Sequence, residues 1–299
     1  MKLKNIKGIL SAALGAVLLF SLTACGSESE GTREFGKDTV SGLKQDAVSQ
    51  QTVPVAPAAA TIEETVMWDN DDIKITALSL TSDQYYHILN LLIENKTGVD
   101  LFVMASRTAV NSFVVEPSMG VNVPAGSAVE GTFRVWLDDV AADVIADIET
   151  RFSYSSDDHS VSSKTKRVKL ETSAAASFDY SYDESGTVLH DADGIKIIFQ
   201  GFNDEGNPMI YLSSTGELSE GCCVDSHKVY INGKETYSDY YGWVFTNTRN
   251  YAEMELEDED LDGNPLGEVE SLQVSFRIYK ENMADPGAVE TALVEIPVN

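Results

Sequence analysis

Ile148-Glu149-Thr150-Arg151-Phe152-Ser153-Tyr154 sets Ile148, Thr150, Phe152 and Tyr154 on one side and Glu149, Arg151 and Ser153 on the other. Successive side chains of a strand point to opposite faces, so this period of two predicts a strand with one face on a core. The neighbouring sequence reads the same way. Ile73 to Ala77 alternates, and Tyr86 to Glu94 and Leu101 to Val110 are β-rich runs separated by the turn Asn95-Lys96-Thr97-Gly98. Pro124-Ala125-Gly126-Ser127 is a further turn, Phe133 to Leu137 alternates again, and Arg167 to Glu171 closes the set. Asp138 to Asp147 has the composition of a helical turn. Short strands, frequent turns and no long helix predict an all-β, antiparallel sandwich.

The pattern then recurs. Met67-Trp68-Asp69-Asn70-Asp71-Asp72-Ile73-Lys74-Ile75 is matched by Leu189-His190-Asp191-Ala192-Asp193-Gly194-Ile195-Lys196-Ile197. Val110-Asn111-Ser112 is matched by Ile231-Asn232-Gly233, and Ile148 to Tyr154 by Leu272 to Ile278, in the same order and at nearly constant spacing. This predicts a tandem duplication, with repeat 1 over 62–172, repeat 2 over 178–299 and a boundary at Ser173-Ala174-Ala175-Ala176-Ser177. Asn232-Gly233, between Lys228-Val229-Tyr230-Ile231 and Lys234-Glu235-Thr236-Tyr237, is the strongest hairpin signal in the chain. In Glu253-Met254-Glu255-Leu256-Glu257 the apolar residues face one way and the acids face water.

The acidic hairpin opening, the Leu92-Ile93-Glu94-Asn95 run, Val110-Asn111-Ser112 and the Ile148 to Tyr154 strand together resemble duplicated immunoglobulin-like bacterial surface lipoproteins. These are common in Gram-positive gut anaerobes and are related to a domain-of-unknown-function class. The resemblance covers residues 62–299 and implies two tandem immunoglobulin-like β-sandwiches at a Gram-positive cell surface. It implies no activity and transfers no functional residue. The second repeat departs from the pattern, because Leu212-Ser213-Ser214-Thr215 stands where Ile93-Glu94-Asn95 is expected.

Upstream of the repeats, Lys2, Lys4 and Lys7 precede an apolar run from Ile9 to Leu22. That run is short of the roughly 20 residues a membrane-spanning helix needs, and its flanks are those of a signal peptide over 1–24. Leu22-Thr23-Ala24-Cys25 resembles the bacterial lipobox, which implies that Cys25 is diacylated and becomes the new N-terminus. Burial of acyl chains at about 0.8 kcal/mol per CH₂ makes two chains a stable membrane anchor. Residues 25–61 carry Ser, Gly, Thr, Gln and Ala without strand or helix period, and are expected to be a disordered tether. About 35 flexible residues span on the order of 30 Å.

The formal charge of −27 excludes classes of partner. Neutralising phosphates takes Lys and Arg, so nucleic acid is not expected as a partner. Removing the signal takes three lysines with it and leaves the chain more acidic still. Cys222 and Cys223, adjacent and therefore on opposite faces of a strand, make no disulfide framework, so stability must come from apolar cores. The 43% hydrophobic content is enough for that.

Calcium is the one cofactor the carboxylates suggest. Asp258-Glu259-Asp260-Leu261-Asp262-Gly263 places Asp258, Asp260 and Asp262 at alternate positions before a glycine, as in a calcium loop. Position 12 of that loop is Val269 rather than a bidentate Glu, and the flanking sequence reads as strand; a solvated acidic turn is the other reading. The densest aromatic stretch contains Tyr240, Tyr241 and Trp243, which would stack on a sugar or peptide if exposed, and would be core packing if not.

Enzyme readings find no support. Asp225-Ser226-His227 contains triad residue types, but as neighbours, whereas a working triad is assembled from distant segments. Cys222, Cys223, Asp225 and His227 lack zinc-site spacing. GxSxG, HExxH, P-loop and GxGxxG patterns do not occur. The expectation is therefore a non-enzymatic surface lipoprotein, held to the membrane through Cys25 and binding an extracellular protein or glycan. The alternative is a calcium-dependent adhesive or carbohydrate-binding module.

Overall fold

The computed structural model describes residues 60–136, 144–216, 218, 221–280 and 287–298. Cys25, the signal segment and nearly all of the tether lie outside the described residues, as does most of the stretch expected to form a helical turn. Among the described residues no helix is long and apolar enough to cross a membrane.

The chain is all-β. The first half contains β1 (Thr65–Asp69), β2 (Ile73–Ser82), β3 (Tyr86–Asn95), β4 (Leu101–Val110) and β5 (Phe113–Val115). They are followed by β6 (Gly120–Val123), β7 (Ala128–Trp136), β8 (Asp147–Ser155), β9 (Ser162–Lys164) and β10 (Val168–Glu171). After a 3-10 turn at Ala175–Ser177 come β11 (Thr187–Ala192), β12 (Ile195–Phe202), β13 (Pro208–Ser214), β14 (Cys222–Ile231) and β15 (Lys234–Asp239). The chain ends with β16 (Tyr241–Val244), β17 (Arg249–Glu253), β18 (Glu255–Asp260), β19 (Leu272–Tyr279), β20 (Val289–Glu290) and β21 (Val294–Ile296).

Strand pairing repeats as the sequence does. In the first half β1-β2-β3-β7 form one sheet, while β4 pairs with β5, β6 and β8, and β8 with β9 and β10. In the second half β11-β12-β13-β17 lie in the same order, β14 pairs with β15, β16 and β19, and β19 with β20 and β21. These pairs are all antiparallel. Even irregularities recur: β1 is bulged between Val66 and Trp68, and β11 between Val188 and His190, each turning one apolar residue (Met67, Leu189) inward. Leu212 lies opposite Ile197 as Ile93 lies opposite Ile75, so Ser214 occupies the place of Asn95 where the two sequences part.

Each repeat encloses its own core. Ile73, Ile75, Leu89, Leu91, Ile93, Phe133 and Phe152 are among the buried side chains of the first, and Ile197, Ile210, Leu212, Val274 and Phe276 of the second. Phe152 and Phe276, predicted to correspond, are both completely buried. Each such side chain contributes roughly 1.5–3 kcal/mol relative to exposure.

Two features depart from a plain duplication. β18 adds to the edge of β15, and among the described residues no strand of the first half stands in the corresponding place. The stretch Glu253 to Glu257, read as one alternating run, is split at buried Met254: β17 belongs to one sheet and β18 to the other. The second departure is a junction. β5 meets β17 in parallel at the single pair Phe113–Arg249, where the Arg249 N–H donates to the Ser112 carbonyl at 2.8 Å. That pair makes one sheet of β10-β8-β4-β5 and β17-β13-β12-β11.

Candidate functional site

The junction is built by the segment that follows the 3-10 turn. Phe178-Asp179-Tyr180-Ser181-Tyr182 forms no strand and lies against the first repeat. The Tyr180 hydroxyl donates to Oδ2 of buried Asp147, and the Tyr182 hydroxyl donates to the Asn111 carbonyl. Burial first, then the hydrogen bond to Asp147, pushes the Tyr180 phenol up from its ordinary value. Both hydroxyls thus remain donors at any physiological pH.

Arginines complete the contact. The Arg249 guanidinium lies 4.6 Å from the Tyr182 ring centre, that of Arg167 lies 5.0 Å from Phe245, and that of Arg107 lies 5.9 Å from Trp243. Arg167 also donates from Nη2 to the Thr246 carbonyl at 3.0 Å and pairs with Glu149 at 3.5 Å. A guanidinium over a ring face is attracted by the ring quadrupole and strengthens as it is desolvated.

Beyond the Phe113–Arg249 pair, β5 and β17 share no further pair, and a cleft opens between them. Its volume is 560 Å³, within the range of small-ligand sites. Phe113, Tyr182, Tyr211 and Tyr251 supply aromatic surface; Glu116, Asp183, Gln200 and Asn250 supply polar groups. The Phe113 ring meets Tyr182 edge to face at 4.9 Å and Tyr211 at 6.5 Å. Tyr211 is buried and donates from its hydroxyl to Glu184 at 3.3 Å; burial pushes its phenol up to about 12. Tyr251 is 49% exposed. A second hollow of 310 Å³ shares Val114, Val115 and Glu116 with the first and is completed by Arg107, Trp243 and Phe245. β5 is therefore flanked by both.

The residues singled out from sequence fall differently. Tyr240, Tyr241 and Trp243 do not present together: Tyr240 is 4% exposed and packs edge to face on Phe276 in the second core, because alternation turns it away from its neighbours. Tyr241 is 45% exposed with its hydroxyl 3.6 Å from the Cys223 sulfur, and Trp243 is held between Arg107 and Phe245. Of the three, Trp243 alone lines a hollow at the junction. Cys222 belongs to the second core and Cys223 is buried on the other face of β14.

Asp258 and Asp260 end β18 and Asp262 sits in the turn beyond. Oδ1 of Asp260 accepts the N–H groups of Asp262 (3.0 Å) and Asn264 (2.8 Å) and the Asn264 side-chain amide (3.0 Å). Oδ2 faces Lys234 Nζ at 3.5 Å. These donors, the Asn264 N–H first, hold its carboxyl below the usual range. Asp260 thus closes a turn rather than reaching toward Asp258 and Asp262. Among the described residues no group of three or more His, Cys, Asp or Glu side chains is placed to hold a metal ion.

Asp225, Ser226 and His227 are each engaged elsewhere. Tyr279 donates to Asp225 at 2.8 Å, Ser226 donates to the Ser238 carbonyl at 3.4 Å, and His227 lies 3.3 Å from Glu290. The residues of the junction cleft carry no motif. The alternation of Phe178, Tyr180 and Tyr182 just after the predicted boundary was the one sequence signal pointing there.

No family model matches the chain, and no curated protein does. Solved structures similar to it include the YadV chaperone, 14% identical, covering 75% of this chain and 100% of that one with a TM-score of 0.24. Another is the Salmonella enterica SafA pilin in complex with the SafB chaperone, 9% identical, covering 77% and 98%, TM-score 0.23. A third is red sea bream transglutaminase, 14% identical, covering 77% of this chain and 32% of that one, TM-score 0.21. Likenesses at these scores say nothing about a shared site.

Proposed function

We propose that this chain is a non-enzymatic binding module, held outside the cytoplasm by a lipid on Cys25, whose ligand seat is the cleft between β5 and β17. The observation that carries the reading is the cleft itself: four aromatic side chains and four hydrogen-bonding side chains gathered where two sandwiches share one strand pair. Aromatic faces with a few placed polar groups are what a saccharide or a polypeptide ligand requires. The two repeats are fastened by tyrosine hydroxyls and guanidinium–ring contacts, so the seat is formed before the ligand arrives and little ordering entropy remains to be lost. The lipobox at Leu22 to Cys25 and the acidic composition support a tethered, extracytoplasmic life.

The test uses the full chain. Metabolic labelling with an alkyne fatty acid should mark the wild type and leave Cys25→Ala unmarked and released from the membrane fraction. Binding to peptidoglycan fragments and to a displayed peptide library should weaken at least tenfold in Tyr251→Ala, an exposed position whose change leaves the melting temperature in place. Equal binding by wild type and Tyr251→Ala would move the seat away from the cleft.

A further inference from the structure

The side chains lining the junction cleft differ in what they have left to offer a ligand. Gln200 spends its amide N–H groups on the chain itself: Nε2 donates to the Asp183 carbonyl at 2.7 Å and to the Ser185 carbonyl at 3.2 Å. Two carbonyl partners fix the nitrogen on that side, and the oxygen that remains is an acceptor. The Tyr182 hydroxyl donates to the Asn111 carbonyl and the Tyr211 hydroxyl to Glu184, so both phenolic protons are committed within the fold. Glu116 and Asp183 are carboxylates, which at neutral pH can only accept. The Ser185 N–H donates to Oδ1 of Asp183 at 2.8 Å, and Ser185 holds that carboxyl below its usual range. Asn250 and Tyr251 keep donors, each with an acceptor on the same side chain. The wall has consumed most of its donors and kept its acceptors.

Charge and rings point the same way. The two charged side chains that line the cleft are both acidic, in a chain of net charge −27. Arg249 is not among the lining side chains, and its guanidinium lies on the Tyr182 ring. That contact is a cation already seated on one ring of the junction. Tyr211 and Tyr251 are register partners on β13 and β17, so their side chains leave the sheet on one face. With Phe113, whose ring meets Tyr211 at 6.5 Å, they give the cleft its remaining ring surface. Ring faces attract a cation, more strongly as water is excluded.

We infer that the cleft binds a protonated aliphatic amine, its charge answered by Glu116 and Asp183 and its carbon stem lying against Phe113, Tyr211 and Tyr251. The inference rests on the binding reading above and names the group recognised. An alkylammonium has three donors and no acceptor, the complement of a wall that keeps acceptors. A neutral saccharide leaves both carboxylate charges unanswered, and an anionic ligand is repelled by them. The lysine side chain of a polypeptide carries this ammonium on a flexible four-carbon stem that rings can cover. The amine of an amino sugar sits directly on a polar ring and has no such stem.

The full chain is titrated with pentylamine hydrochloride, Nα-acetyl-lysine methylamide, 1-pentanol and glucosamine, and amide NMR shifts are followed at Val114 and Tyr251. Both aliphatic amines should bind at least tenfold more tightly than pentanol or glucosamine, and added salt should weaken the aliphatic amines and leave pentanol unchanged. The double variant Glu116→Gln, Asp183→Asn changes two exposed side chains and keeps an oxygen for Ser185; it should lose at least tenfold in amine affinity at an unchanged melting temperature. Equal binding of pentylamine and pentanol, tighter binding of glucosamine than of either aliphatic amine, or amine binding unmoved by the double variant would overturn the inference. Should that variant melt lower, the wild type decides alone, and amine binding indifferent to salt overturns it. If peptidoglycan fragments or displayed peptides bind in a Tyr251-dependent way while neither aliphatic amine binds, amine recognition is wrong and the cleft remains a ligand seat. If no ligand responds to Tyr251→Ala, both readings fall.

Discussion

Asn111 and Asn232 make the same set of hydrogen bonds in the two repeats. Each begins a two-residue turn with positive φ, 49° followed by 69° at Ser112, and 53° followed by 76° at Gly233. The Asn111 N–H donates to the Asp147 carbonyl, its Nδ2 to the Val144 carbonyl, and its Oδ1 accepts the Ala146 and Asp147 N–H groups. Asn232 repeats this with Ser271, with Leu266 and Glu268, and with Glu270 and Ser271. Asparagine suits the position twice over, since it tolerates φ > 0 and its amide both donates and accepts.

Either asparagine replaced by alanine should therefore cost about 2–4 kcal/mol, since several backbone groups lose partners and alanine is strained at positive φ. Urea denaturation of Asn111→Ala and Asn232→Ala checks this. Asn→Asp keeps the acceptor and loses the donor, and should fall between wild type and Ala.

Tyr180→Phe removes the hydroxyl that donates to buried Asp147, whose Oδ2 also faces Lys169 Nζ at 3.4 Å. The cost should be about 1–3 kcal/mol, the penalty for an under-satisfied buried acceptor. Because Tyr180 fastens the segment that carries Tyr182 to the cleft, ligand binding should weaken in the same variant. Thermal melting and the peptidoglycan and peptide binding assays read the two effects separately.

Asp158 should make stability depend on acid. Its Oδ1 accepts from Ser156 Oγ, Ser160 N and Ser160 Oγ, and these bonds, Ser156 first, lower its carboxyl from 3.8 to about 2. A depressed carboxyl contributes stability that is fully present above the unfolded value and lost as pH falls through the folded one. Wild type should therefore exceed Asp158→Asn in melting temperature at pH 6, with the gap closing between about pH 4 and pH 2. A gap independent of pH would show that the charge plays no part.

Asp260 should behave as a turn residue. Asn at 260 keeps an oxygen for the three amide donors, so in urea denaturation Asp260→Asn should lose less stability than Asp260→Ala. Calcium titration of wild type and of the Asp260→Asn, Asp262→Asn double variant should give the same heats. Calcium-dependent stabilisation of wild type alone would restore an ion site there.

Much of the architecture was legible because it depends on local patterns. The strand from Ile148 to Tyr154, the run from Leu101 to Val110 and the Asn232-Gly233 hairpin lie where alternation and turn chemistry placed them. The correspondence of Met67 to Ile75 with Leu189 to Ile197 extends to a shared bulge. The candidate site was far less legible. Tyr240, Tyr241 and Trp243 are close in sequence, yet alternation buries the first and exposes the second. Phe113, Tyr182, Tyr211 and Tyr251, which line the cleft, come from four separate segments and form no motif. The split of Glu253 to Glu257 between two sheets was hidden for a related reason: Met254 is buried whether or not the chain changes partners there.

The sequence alone determined that the chain is built of strands, that the pattern is used twice, and where its turns fall. Period-two alternation and positive-φ residues act over a few neighbours and need no distant partner to be read. Only the tertiary structure decided that β5 meets β17, that β18 covers β15 and not β5, and that an aromatic cleft opens between the two repeats. Those outcomes depend on which edges find hydrogen-bonding partners, and an edge carries the same N–H and C=O groups whatever its side chains are.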